Sequence, residues 1–492
     1  MTNIIVADAR IMWRSPEPRD ILIRDGHIAA IAPAGASFGS DTAANTERIS
    51  VEGRTVAAGL WDHHIHMNQW ALARRRVDVS AAESAAHAAS IVSDHLSESP
   101  EPHGSVLVGY GFRDGLWADE PSAELLRVGD TAVVLISGDL HAAWFNTAAA
   151  QLLGMPTDSS CILRESAAIE LSARVGEVST ELLDTWVAEA ARAAARRGVV
   201  GVVDLDVDDA PAQWLRRSAQ HVTPVRVRAG IYPAHLDRAK ANGYRSGHVL
   251  DGATARVSVG PLKIITDGSL NTRTALCYDR YPDQSGPDAH GISRYSTAEL
   301  ISLLREGQSI GLVPTVHAIG DHANTMALDA FDAVGVRGMI EHAQMVARTD
   351  LPRFAALGVT ASVQPEHAVD DRDVADRHWP GRTDLAFAFR SLLDAGADVV
   401  LGSDAPVAPL DPWVTMAAAV HRTRGDREPW HPEQRICLDE AYRASARTSV
   451  SVGDVADIVV TDLDPRDCDA EQLRNMPVSG TLLAGRATHW TI

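Results

Sequence analysis

Eight short apolar runs, each followed by a stretch of helical pattern, constrain this chain more than any other feature. They are Val56 to Trp61, Val199 to Leu205, Pro224 to Ile231, Arg256 to Ile265, Gly311 to His317, Gly338 to His342, Gly358 to Gln364 and Asp398 to Ser403. Strands that alternate with helices pair in parallel, and eight of them close into a (β/α)8 TIM barrel, an α/β fold. Clear helices between the runs include Thr297 to Gly307, Ala323 to Val334 and Leu385 to Ala395, and the alanine-rich Ala188 to Arg197 leads into the second strand.

The chain has 492 residues, more than such a barrel needs, and the surplus falls in two places. The interval from His66 to Val199 far exceeds an ordinary crossover, so an insertion is expected at 71–180, with strands around Val106 to Tyr110 and Ala132 to Ser137. The two ends form a second addition. Ile4 to Ala7, Asp20 to Arg24 and His27 to Ile31 are strand-like, with Asp25-Gly26 as a hairpin turn, and Val455 to Asp462 and Gly480 to Ile492 mirror them. The expected division is a composite β-sandwich from 1–54 and 451–492, a barrel over 55–450, and the insertion as a lid.

Composition narrows the function classes. A net charge of −20 opposes nucleic acid and anionic membranes as partners. Cys161, Cys277, Cys437 and Cys468 are far apart, without the paired spacing of a disulfide framework or a thiolate zinc site. No apolar run reaches the roughly 18 residues of a spanning helix, and Met1 to Asp20 lacks a leader pattern. The expectation is a cytoplasmic protein acting on a small molecule, with a homo-oligomer left open.

Polar residues at the carboxyl ends of barrel strands carry function, because that face houses the active site. The first run leads into Asp62-His63-His64-Ile65-His66, the fifth ends at His317, the sixth at Glu341-His342, and Asp404 follows the eighth. Strand periodicity puts His64 and His66 on one face with Ile65 turned away, a geometry suited to chelating one metal. Taken singly, each residue has a plain structural role: His317 and His342 as packed core histidines, Asp404 as a helix cap. Together, at the ends of separate strands of one closed barrel, they point to metal ligation. A carboxylate beside metal-activated water is suited to accept a proton.

Among 45 basic residues only Lys240 and Lys263 are lysines. Lys263 sits in the apolar strand Val257 to Ile265, where an unpaired ammonium is costly. Burial favours the neutral amine, which can combine with carbon dioxide to give a carbamate, and arginine cannot replace it. The competing reading is an ammonium paired with Asp267.

The set His64, His66, Lys263, His317, His342 and Asp404 resembles the binuclear amidohydrolase superfamily. Further segments are similar to its amidohydrolase 3 branch, which includes N-substituted formamide deformylases. They are Gly109-Tyr110-Gly111-Phe112, His141 to Asn146, Asp267 to Leu270 with Arg273-Thr274-Ala275, His317 to Asp321, Glu341 to Gln344, Gln364-Pro365 and Gly402 to Pro406. The chain departs from the branch only near its end, where Ser449 to Asp457 makes a shortened approach to the last β segment.

The resemblance implies two divalent ions bridged by a carbamate on Lys263. One ion is held by His64, His66 and Asp404, the other by His317 and His342. Zinc is the default for imidazole ligands, with iron, manganese and cobalt open. It also implies hydrolysis of a C–N bond of amide type (N-formyl, N-acyl or cyclic amide), with Asp404 as general base. Deamination ranks lower, because the related deaminases carry HxxE and this chain has Gly320 there. A decarboxylase, an isomerase or a non-enzymatic binding module are the remaining alternatives. His141, Trp144 and Asn146 of the insertion, with Arg273 and Gln364, are the candidate substrate contacts.

Overall fold

In the computed structural model, which describes residues 3–14, 16–38, 46–99, 105–155, 161–220 and 223–492, eight parallel strands pair in chain order. They are Leu60–Ile65, Val199–Asp204, Arg226–Ile231, Val257–Ile265, Pro314–Ala318, Gly338–His342, Val359–Val363 and Val399–Leu401. Most of their residues are buried, as expected of parallel strands covered on both faces. The register sets Lys263 beside Thr315, His317 beside Glu341, and Ala318 beside His342, so three adjacent strands bring their polar ends to one level.

The seam between the first and eighth strands closes at the functional end. Asp404 donates its backbone N–H to the His64 carbonyl at 2.7 Å, and His66 donates to the Ala405 carbonyl at 2.8 Å. Gly402 makes this approach feasible, since a Cβ there would lie 2.7 Å from the His64 nitrogen. The contacts that close the barrel thus also set His64 and His66 beside Asp404.

The first run divides differently from the sequence expectation. Thr55–Ala58 belongs to the terminal sheet, where it pairs antiparallel with Ile458–Thr461, and the first barrel strand begins only at Leu60. An apolar run cannot reveal a change of sheet inside it, because both segments are fully buried. The terminal unit is one mixed eight-stranded sheet built from both chain ends. Asn3–Ile11 is shared: its first part pairs with Arg19–Arg24 and Thr46–Ser50, its last residues with Thr55–Ala58. Val6, Ile21, Ile23, Val56, Ile458 and Leu482 from the two halves meet in one apolar core. The Asp25-Gly26 turn has both residues at positive φ (48° and 79°), as a two-residue hairpin of this hand requires.

The shortened junction joins the sheet compactly. After the helix Leu438–Ala444, Ser445 accepts the Trp61 N–H, Ser449 caps back onto Asp454, and Ile28 exchanges backbone bonds with Gly453 and Asp454.

The insertion carries a five-stranded sheet in the order Ile162–Arg164, Ala142–Phe145, Ala132–Ser137, Val106–Phe112, Val77–Asp78. Alternate residues feed two cores: Leu107, Val133, Leu135 and Trp144 on one face, Val134, Ile136, Ala143 and Phe145 on the other. The sheet docks on the loops around the barrel mouth. Arg113 reaches Asp370 at 3.0 Å and Asp371 at 3.1 Å, Asp139 accepts from Ser269, and Glu165 accepts the hydroxyls of Thr272 and Thr274. Residues 1–2, 15 and 39–45 of the terminal unit, and 100–104 and 156–160 of the insertion, lie outside the described residues. Among those described, no helix is long and apolar enough to cross a membrane.

Candidate metal centre

The barrel brings His64, His66 and Asp404 together. The Nε2 atoms of His64 and His66 lie 3.3 and 3.1 Å from the same Asp404 oxygen, Oδ1. On the far side of that carboxylate, His342 and His367 offer nitrogen atoms within 4.8 Å of each other and of Asp404. His317 packs against His342 with ring centroids 4.5 Å apart, and His64 lies 5.0 Å from His342. Lys263 is 1% exposed, with its Nζ 3.5 Å from His64 Nε2.

Neighbouring carboxylates fix which nitrogen of each imidazole faces the centre. His64 Nδ1 lies 2.7 Å from Glu341, and His317 Nδ1 lies 3.0 Å from Asp267. In each case Nε2 is left to face inward, the arrangement that orients ligating histidines. Asp267 also accepts the N–H groups of Leu276, Ile319 and Gly320. It is thus committed to His317 and its loop, and among the described residues Lys263 has no carboxylate ion pair. The expected alternative of a Lys263–Asp267 pair is replaced by this arrangement.

Burial dominates the electrostatics. It lowers the pKa of His64 to about 4, helped by the Lys263 charge, and pushes His342 well below the usual imidazole range, helped by His317. Both imidazoles are thus neutral at physiological pH, the form able to ligate a metal. Burial also lowers Lys263, against the pull of Glu341 and Asp404. Asp404 goes the other way: burial opposes ionisation, but His64, His66 and His342 hold its carboxyl far below the usual range.

These residues suit divalent cations. Neutral imidazoles and an ionised carboxylate converge in a buried space, and His342 Nδ1 and His367 Nε2 are buried without a hydrogen-bond partner. Three residues at the centre, His342, Ala343 and Asp404, hold positive φ (73°, 41° and 59°), the kind of backbone strain that clusters at functional sites.

The expected substrate contacts separate into two groups. His141 stands at the insertion's edge, its Nδ1 2.9 Å from Glu165, close enough for its charge to act on His317. Arg273 lies in the loop after the fourth strand, at φ 60°, near His378. Gln364 is buried against the centre, its Nε2 3.4 Å from His64 Nδ1. Trp144 and Asn146 need correction. Trp144 is 0% exposed inside the inserted sheet, its indole N–H donating to the Ser122 carbonyl. Asn146 caps Thr147–Leu152, accepting from Val133 and Ala149 and donating to Leu126 and Thr131. Both are committed to the insertion's own fold.

The sequence reading assigned no role to Glu341, considered Asp267 only as a partner of Lys263, and passed over His367. The signal for His367 was the segment Gln364-Pro365-Glu366-His367 at the end of the seventh strand. It was missed because the residue lies on the helix Pro365–Asp370 rather than on a strand.

Comparison with known proteins agrees with this architecture. The chain is 28% identical to Protein LONG AFTER FAR-RED 3 of Arabidopsis thaliana, over 92% of this chain and 85% of that one. It is 24% identical to the N-substituted formamide deformylase of Arthrobacter pascens, over 99% and 98%. The fold matches the crystal structure of an uncharacterized metal-dependent hydrolase from Pyrococcus horikoshii, with a TM-score of 0.78, 24% identity, and 96% and 99% of the two chains covered. The pattern of the amidohydrolase family runs through residues 47–489, and the chain belongs to that family.

Proposed function

We propose that this protein hydrolyses an amide-type C–N bond of a small molecule, using two divalent ions at the barrel mouth. The observation that carries the reading is the convergence of His64, His66 and Asp404 on a buried lysine without a carboxylate partner. The relative that is an N-substituted formamide deformylase supports the bond class. Among the substrates to be compared are N-formyl amines, N-acyl amino acids and cyclic amides.

In this reading His64, His66, Lys263 and Asp404 surround one ion, and Lys263, His317 and His342 the other, with zinc favoured by the nitrogen-rich set. Lys263 would serve as a carbamate: its neutral amine forms an N–C bond to carbon dioxide and releases one proton to solvent, so an uncharged side chain becomes an anion able to hold both ions. Bound there, the ions would polarise the scissile carbonyl and acidify water.

The chain's own residues do the rest. Asp404, ionised and aimed into the mouth, accepts a proton from water and passes it to the leaving nitrogen. Glu341 and Asp267 hold the His64 and His317 rings so that Nε2 presents its lone pair. His141, braced by Glu165, and Arg273 meet the substrate from the loop side. A glutamate in place of Gly320 is sterically excluded, since a Cβ there would lie 1.9 Å from the Leu276 carbonyl oxygen. That disfavours the proton-shuttling glutamate of a deaminase.

A hydrolysis screen over the three substrate classes, with metal content measured on the same preparation, tests the reading. Turnover lost on chelation and restored by divalent metal supports it. His64→Ala, His317→Ala and His342→Ala should each lose metal and turnover together. Full metal occupancy with no turnover on any amide would overturn the assignment of bond class.

A further inference from the structure

His367 belongs to none of the eight strands, yet it lies at the centre of the mouth. It is carried by the six-residue helix Pro365–Asp370, too short to hold its own conformation. That helix is clamped from three directions. Glu366 is held by Arg474 of the C-terminal segment at 2.7 Å and by Arg424 at 3.0 Å. Asp370, one turn on, is held by Arg424 at 2.8 Å and by Arg113 of the insertion at 3.0 Å. Both carboxylates are nearly fully enclosed, and the Arg474–Glu366 pair is buried on both sides, where breaking it is costly, while Arg424 reaches in from a half-exposed position.

The clamp fixes His367 where its polar atom has no protein partner. Its Nε2 is buried, makes no hydrogen bond, and lies 3.8 Å from Asp404 Oδ2, the oxygen not used by His64 and His66. The ring stacks on His342 at 6.1 Å and 17°, and His342 Nδ1 is likewise buried and unpartnered. A separation of 3.8 Å is too long for a hydrogen bond. It does fit two atoms each about 2.0 to 2.1 Å from a shared ion, which lie about 3 to 4 Å apart. Buried polar atoms are usually satisfied, and this one, beside a second unpartnered imidazole nitrogen and a carboxylate, calls for a ligand.

We propose that His367 is a ligand of a divalent-ion position shared with His342 and Asp404, and that the three-arginine clamp on its helix sets its place. Asp404 then serves both halves of the centre, Oδ1 toward His64 and His66 and Oδ2 toward His367. The proposal rests on the divalent-metal reading above and adds a ligand outside the strand set.

The test is metal binding rather than turnover. Metal-free full-length protein is titrated with cobalt(II), following visible absorption, and bound zinc is counted by elemental analysis. The wild type should take up two equivalents and His367→Ala one, with the remaining equivalent lost only when His64 is also replaced. His367→Gln, closer in shape, should show the same loss, and an unchanged melting temperature of the metal-free variants shows that the fold is intact. Arg474→Met, remote from the ions, should weaken the same equivalent by about 10-fold, the lower end expected for a residue that positions a ligand. Two full equivalents at unchanged affinity in both His367 variants would overturn the ligand role while leaving the hydrolase reading standing. A wild type that takes up no ion would overturn both.

Discussion

The inserted sheet and the barrel mouth both bury polar side chains, and Asn146 in the one and His367 in the other are used in opposite ways. In the insertion, Asn146 engages two backbone N–H groups and two carbonyls, and the Trp144 indole has its acceptor. At the mouth, His342 Nδ1, His367 Nε2 and Gln344 Nε2 are buried with nothing to bond. Burial therefore does not distinguish structural from functional polar groups. What marks the mouth is that such unpartnered nitrogens gather around one ionised carboxylate, whereas elsewhere, as at Ser172 or Thr254, unpartnered polar atoms occur without such a cluster.

Five variants break or sharpen this contrast, beginning with the largest effect. Lys263→Arg should abolish binding of the ion pair and reduce turnover to background, since a guanidinium cannot form a carbamate and would repel cations. Crystallography of the wild type should show three extra non-hydrogen atoms on Nζ between two metal peaks. A bare ammonium with one fully occupied ion would leave a mononuclear hydrolase. Trp144→Ala should cost about 3 to 5 kcal/mol of stability, the range for emptying a packed aromatic site, while the surviving folded fraction keeps its specific activity. A selective loss of kcat/KM instead would return Trp144 to the substrate site.

Asp404→Asn should fold, retain some metal, and lose at least about 100-fold in rate, equal to about 2.7 kcal/mol in the barrier. Near-normal turnover would move the proton acceptor elsewhere. Asn146→Ala should cost about 1 to 2 kcal/mol through its lost helix cap, with turnover unaffected.

The smallest effect concerns the seam between the two regions. Burial opposes the charge on both His141 and Glu165, yet their contact, with Asp139 and the hydroxyls of Thr272 and Thr274, raises His141 above 6.5 and lowers Glu165 to about 2. The Glu165 contribution is present above its ordinary 4.5 and fades as pH falls through its folded value. The His141 contribution is present below its ordinary 6.5 and fades as pH rises through its folded value. The pair, internal to the insertion, should thus be firmest between 4.5 and 6.5 and there hold Glu165 toward the barrel hydroxyls of Thr272 and Thr274. Hydrogen exchange of the insertion, compared with Glu165→Gln, should differ most inside that window and converge outside it. A difference independent of pH would assign the seam to the neutral contacts alone.

The sequence made the barrel legible because burial on both faces forces each parallel strand into a continuous apolar run. The strand-end residues His64, His317, His342 and Asp404 were legible for a related reason: an ionisable side chain at the end of such a run needs an explanation. Thr55–Ala58 was misplaced because apolar pattern records burial and not the identity of the pairing partner. Trp144 and Asn146 looked like lid residues because composition cannot show that a polar atom already has its bonds.

By itself, then, the sequence determined the repeated strand and helix, the additions at the ends and after the first strand, and the chemistry available at the mouth. These follow from local periodicity and residue type, which survive in one dimension. Only the tertiary structure decided that one Asp404 carboxylate faces histidines on both sides, that Asp267 serves His317 rather than Lys263, and that a clamped helix brings His367 into the centre. Each of these is a contact between segments remote in the chain, fixed by closure of the barrel and docking of the insertion, and such contacts leave no periodic trace in the sequence.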